Sequence, residues 1–180
     1  MSADFTHYQG RYLSLLERDG WEYAHRSNAS AVVVLVAVTK ERELLLVEQF
    51  RKPVETRVLE LPAGLVGDLD DPDEPLLEAA QRELEEETGY RPGGMKLLME
   101  CPSSAGMSDE NLAFILAHDC ERVGPGGGDD SEEIEVVIVS LKDADGLLDR
   151  HLAAGKSLDP KIYAGIYWLG KLGYMANSEE

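Results

Sequence analysis

Four glutamates fall within five residues in Arg82-Glu83-Leu84-Glu85-Glu86-Glu87-Thr88-Gly89-Tyr90, and Glu74 stands eight positions before Arg82. On a helix Glu83 is one turn from both Glu86 and Glu87, so three carboxylates share a side while Ala80 and Leu84 face elsewhere. Each like-charge neighbour costs a helix ~0.2–0.5 kcal/mol, and a divalent cation turns that repulsion into attraction. Hard oxygen ligands select Mg²⁺ or Mn²⁺, and Mg²⁺ is commonly shared between a few carboxylates and substrate phosphate oxygens. The chemistry implied is a metal-bound phosphate site. The plainer reading is a solvated acidic face held by Glu78–Arg82 and Arg82–Glu86 pairs at i,i+4 spacing.

The charge balance sets limits on any partner. Lys and Arg number 17 against 35 Asp and Glu, a formal charge of −18 over 180 residues. Such a surface repels nucleic acid and anionic membranes, so neither is expected as a partner, and a small anionic substrate needs a cation to mediate. Residues 68–87 hold ten acids against the single base Arg82, and residues 129–135 add five more. The two cysteines, Cys101 and Cys120, form neither a disulfide framework nor a zinc motif. The first residues carry no basic stretch followed by an apolar one, and the longest apolar run, Ala31 to Val38, is too short to span a bilayer. A cytoplasmic protein of one domain, residues 1–180, is expected.

The elements that must position the carboxylates follow from periodicity. Tyr12 to Glu17 and Trp21 to His25 flank Asp19-Gly20, a pair suited to a tight hairpin turn, and predict an N-terminal β-hairpin over about 11–26. Ala31 to Val38, Glu43 to Val47 and Arg57 to Leu61 read as strands, the first two joined at Lys40-Glu41-Arg42. The pattern then becomes helical, with Leu76 or Leu77, Ala80 and Leu84 on one stripe. Asp73 reads as N-cap, Pro75 as a first-turn residue and Gly89 as the stop. Strands over Lys96 to Cys101, Asn111 to Leu116 and Ile134 to Leu141 follow, then helices over about 144–154 and 160–172. Gly124 to Gly128 reads as a mobile loop. The late aromatics Tyr163, Tyr167, Trp168 and Tyr174 recur at helical spacing, which suits a core or a subunit contact.

The segment around the glutamates resembles the signature of the Nudix hydrolases, G-x5-E-x7-R-E-U-x-E-E-x-G-U with U aliphatic or aromatic. Glu74, Arg82, Glu83, Leu84, Glu86, Glu87, Gly89 and Tyr90 all fall in register. The leading glycine does not, because position 68 is Asp68. Glu60-Leu61-Pro62-Ala63-Gly64 resembles the E-L-P-A-G run of the ADP-ribose pyrophosphatase branch, so Gly64 is taken as the motif glycine, with four extra residues before Glu74 and a motif spanning 64–90. The resemblance implies an α+β Nudix fold, an α/β/α sandwich with a central mixed β-sheet and an N-terminal β-hairpin, in a homodimer. It implies Mg²⁺-dependent hydrolysis, with Mn²⁺ able to substitute, of a nucleoside diphosphate derivative. ADP-ribose or another nucleoside diphosphate sugar comes first, and the products are a nucleoside monophosphate and a sugar phosphate. Other nucleotides or dinucleoside polyphosphates, or a silent sugar-nucleotide sensor, are the competing readings.

By the same resemblance the metal ligands are Glu83, Glu86 and Glu87 with the main-chain carbonyl of Ala63. Arg82 orients these carboxylates, and Glu74 braces the start of the helix or simply answers its dipole. Glu48-Gln49-Phe50-Arg51 resembles the branch's Q-Y-R element, which assigns Arg51 to substrate phosphate or ribose; Glu60 is a candidate for a sugar hydroxyl or for a structural network. Pro102-Ser103-Ser104-Ala105-Gly106-Met107-Ser108-Asp109-Glu110 resembles the P-S-P-G-x-S-D-E substrate loop without its P-G pair, and makes Gly106 a binding candidate. The branch takes its general base from the loop before the last strand. Here that is Glu132, with Asp130 or Glu133 as alternates. Trp21 or Tyr23 of the hairpin is a candidate for stacking on the nucleobase.

Overall fold

A computed structural model describes residues 4–67, 71–128 and 133–175. The centre is β4 (Ala31–Thr39), buried on both faces as its unbroken apolar run requires. Its side chains alternate between two cores. Val34, Val36 and Val38 enter one, with Leu148, Ile162 and Leu169; Val33, Leu35 and Ala37 enter the other, with Ala79, Ala80 and Leu84. The sheet therefore lies between α1 (Leu76–Thr88) on one face and α2 (Ala144–Ala153) with α3 (Lys161–Lys171) on the other. This is the sandwich expected.

β4 runs parallel to β10 (Asn111–Arg122) and antiparallel to both β5 (Glu43–Arg51) and β7 (Ala63–Val66). β5 also pairs with β6 (Thr56–Glu60) and β11 (Ile134–Ser140), while β10 pairs with β8 (Tyr90–Arg91) and β9 (Gly94–Pro102). The pair β12 (Ser157–Leu158) lies along the β6 edge.

The expected hairpin is β2 (Leu13–Arg18) and β3 (Trp21–Arg26), closed by Asp19 and Gly20 at φ 52° and 82°, the two positive values such a turn demands. It gains a third strand, β1 (Phe5–Gln9), exposed along its whole length and absent from the sequence reading. The small sheet docks on the main body through β3: Ala24 N–H donates to the Met107 carbonyl at 2.8 Å, and Arg26 Nε donates to Glu110 at 2.8 Å.

Two expectations change, and one is met in part. Pro75, with extended backbone angles, and not Asp73, is the residue at the N-cap of α1. Of the late aromatics, Tyr174 packs against the core beside Ile162 and Leu169 of α3, while Tyr163 and Tyr167 are exposed, which leaves the subunit-contact reading of those two as it stood. Residues 124–128 are pinned, because Gly127 and Gly128 N–H groups donate to the Glu87 and Glu86 carbonyls at 2.8 and 3.0 Å.

Candidate active site

The β4–β7 pairing fixes the site. Val34 opposite Ala63 and Val33 opposite Gly64 bring β7 under the last turns of α1. Ala63 N–H donates to Glu87 Oε2 at 3.1 Å. Gly64 lies against Glu83, and a Cβ there would fall 1.8 Å from the Glu83 carboxyl carbon. Glu83 and Glu87 are both buried, at 9% and 4% exposure.

Arg82 ties the other acids to this pair. Its Nε and Nη2 donate to the two oxygens of Glu74 at 2.9 and 3.0 Å, and its Nη1 donates to Glu83 at 2.9 Å and Glu86 at 3.2 Å. Nη2 also donates to the Leu65 carbonyl, joining α1 to β7. The guanidinium holds the Glu74 carboxyl below its ordinary range and is itself pushed up, foremost by that same bond. Glu74 also accepts from Gly67 N–H at 3.2 Å, so the Arg82–Glu74 pair fastens the loop preceding α1 to the helix. Glu86 is half-exposed and borders a separate outer hollow with Glu78, Gln81, Arg82 and Glu85.

Glu83 and Glu87, with Ala63 and Gly64, form one wall of a cavity of about 710 Å³, a size that suits a nucleotide-bearing ligand. Arg51 and Glu60 lie on it as a fork at 2.6 and 2.7 Å, Glu60 buried and Arg51 partly exposed. Three cations line this cavity among the described residues, Arg26, Arg51 and Lys161, against five carboxylates, Glu60, Glu83, Glu87, Glu110 and Asp159. A diphosphate entering it meets net negative charge. The set of hard oxygen donors with surplus negative charge fits a divalent cation such as Mg²⁺ or Mn²⁺.

Trp21 and Gly106 meet each other, Trp21 Nε1 donating to the Gly106 carbonyl at 3.3 Å, but neither lines the large cavity; Trp21 borders a different hollow with Arg18, Tyr23, Ala105 and Asp109. A third, smaller cleft shares Arg26 and Glu110 with the large cavity and Asp109 with the Trp21 hollow. Glu132 and Asp130 lie outside the described residues. Glu133 is exposed, 3.9 Å from Arg57. Sequence reasoning missed Arg26, Asp159 and Lys161 as cavity residues. Their types carried no pattern, and the short β12–β6 pairing that delivers residues 157–161 has no periodic signal.

Comparison with known proteins agrees with this fold. The model of the NUDIX domain matches residues 28–162. The chain is 36% identical over 113 residues to an ADP-ribose pyrophosphatase of Bacillus subtilis and 34% identical over 113 residues to a methanol dehydrogenase activator of Bacillus methanolicus, covering 62% of this chain and 59% of each relative. With a GDP-mannose pyrophosphatase of Salmonella paratyphi B it shares 33% identity over 135 residues, 68% of either chain. A crystal structure of an ADP compounds hydrolase superposes with a TM-score of 0.71 at 21% identity, covering 96% of this chain and 94% of that one. The protein belongs to the Nudix family.

Proposed function

We propose that this Nudix protein hydrolyses the diphosphate of a nucleoside diphosphate sugar, ADP-ribose first and GDP-mannose next, to a nucleoside monophosphate and a sugar phosphate. The observation that carries the reading is the buried pair Glu83 and Glu87 on the wall of a cavity that Arg51 also lines. Relatives with pyrophosphatase names of both kinds support the substrate class.

In this reading Glu83 and Glu87, with the Ala63 carbonyl on the same wall and Glu86 reaching in from the exposed face of the helix, would hold Mg²⁺, which when bound would supply charge neutralisation of the diphosphate oxygens. Arg82 orients the carboxylates through its fork. Arg51, pre-set by Glu60, binds a phosphate oxygen in the planar geometry that guanidinium favours. Glu132 takes the proton of a water whose oxygen attacks one phosphorus, the bridging P–O bond breaks, and the second phosphate leaves. The nucleoside end extends along the seam between β3 and residues 103–110 toward Trp21, which stacks on the base. The protein acts as a homodimer.

The test is a panel of ADP-ribose, GDP-mannose, UDP-glucose, NADH and dinucleoside polyphosphates with Mg²⁺ or Mn²⁺ and with products identified. Turnover of a sugar nucleotide to the two monophosphates is expected. Tight binding of one compound without turnover of any makes the protein a sensor.

A further inference from the structure

The last turn of α1 places Glu85, Glu86 and Glu87 together without a basic residue, at the helix end where the macrodipole is already negative. Carboxylates there add to the negative end of that dipole and are unfavourable, and the final carbonyls of a helix need donors from outside it. Gly89, at φ +75°, supplies the first, its N–H donating to the Glu85 carbonyl. The next two come from residues far along the chain. Gly127 N–H donates to the Glu87 carbonyl and Gly128 N–H to the Glu86 carbonyl, while Val123 and Gly124 N–H groups both donate to the Gly89 carbonyl.

Geometry dictates the composition of this segment. Gly126, Gly127 and Gly128 all have positive φ, at 70°, 109° and 76°. With this backbone Gly127 and Gly128 aim their N–H groups in turn at the Glu87 and Glu86 carbonyls, a course that glycine follows without steric cost. Gly126 also crosses Gly89 at backbone distance: a Cβ on Gly126 would lie 2.4 Å from the Thr88 carbonyl carbon, and one on Gly89 would lie 2.4 Å from the Gly124 carbonyl oxygen.

We propose that residues 123–128 are a clasp that positions the carboxylate end of α1, and that Gly126 is a positioning residue for the Glu86 and Glu87 ligand set. The inference rests on the metal reading above. The clasp cancels the dipole at the helix end and fixes the rise and rotation of the turn bearing Glu86 and Glu87, as supporting hydrogen bonds do for other metal ligands.

The test compares Mn²⁺ affinity without substrate, by electron paramagnetic resonance titration, in wild type, Gly126→Ala, Gly127→Ala and Gly173→Ala. Gly173 has φ +83° with open space around it, so its variant carries the conformational penalty alone, away from the clasp. Gly127→Ala meets just the Ile134 carbonyl at 3.8 Å and serves if Gly126→Ala does not fold. Roughly tenfold weaker Mn²⁺ binding is expected in both clasp variants, with wild-type affinity in Gly173→Ala. Equal affinity in a folded clasp variant and wild type overturns the inference while leaving the metal reading intact. A wild-type protein that binds no Mn²⁺ overturns both.

Discussion

Glu83 packs over Gly64 so closely that no side chain fits between them, its carboxyl carbon 1.8 Å from the position a Cβ would take. Gly64 does not have a left-handed φ, so the demand for glycine is steric and not conformational. Gly64→Ala must therefore move Glu83 or β7. A stability loss of ~1–3 kcal/mol in urea unfolding is expected, with turnover falling further than stability explains. Gly106→Ala, with nothing within 4 Å of the added methyl, should leave the urea midpoint near wild type.

Arg82 bonds to Glu74, Glu83, Glu86 and the Leu65 carbonyl at once, which a lysine's single ammonium cannot reproduce. Arg82→Lys should reduce kcat roughly 10- to 100-fold and slacken the loop that Glu74 holds. Because Arg82 keeps the folded Glu74 pKa below the ordinary 4.5, the unfolded chain binds the proton first. Glu74 thus contributes stability above pH 4.5 that is lost as pH falls through its folded value. Thermal melts below pH 4.5 should show a shallower acid loss in Glu74→Gln than in wild type.

Much of this was legible in the sequence because local rules and the fold agree. The apolar run of β4 and the Asp19-Gly20 turn are short-range signals that the structure meets, while the 83–87 spacing is met for Glu83 and Glu87 and not for Glu86, which faces the outer hollow. What failed depended on distant chain. Glycines 126–128 looked loose because Glu86 and Glu87, their acceptors, lie some forty residues away. Where Trp21 stands relative to Arg51 was left open by the sequence, because it depends on how β3 docks on residues 107–110, a contact with no periodic trace.

Glu132 follows the clasp in the chain, and its role rests on family resemblance. Glu132→Gln should lower turnover roughly a hundredfold or more while metal affinity holds. Near-normal rates in Glu132→Gln beside a loss in Asp130→Asn or Glu133→Gln would move the base to that residue.

His151 is the one buried ring among the described residues whose Nε2 finds no hydrogen-bond partner; Glu48 is 3.8 Å away and Lys156 competes for the same carboxylate at 3.6 Å. Burial pushes its pKa below 6.5, Lys156 adds to that, and Glu48 opposes it. The unfolded chain therefore takes up this proton first, so stability is present above pH 6.5 and lost as pH falls through the folded value. In melts between pH 7 and 5, His151→Leu should flatten the pH dependence. An unchanged slope would place the acid sensitivity elsewhere.

The Arg51–Glu60 fork combines a buried carboxylate with a half-open guanidinium, so the two residues cannot be tested singly. Arg51→Ala leaves the buried Glu60 carboxylate without its fork and should lower the urea midpoint, confounding any loss of activity. Arg51→Ala combined with Glu60→Gln removes the stranded charge, and most of the stability should return. If Arg51 binds substrate phosphate, KM for the sugar nucleotide stays raised in the double variant despite the recovered fold. A KM that recovers along with the urea midpoint would make the fork structural, and the diphosphate contact would pass to Arg26 or Lys161 on the same cavity wall.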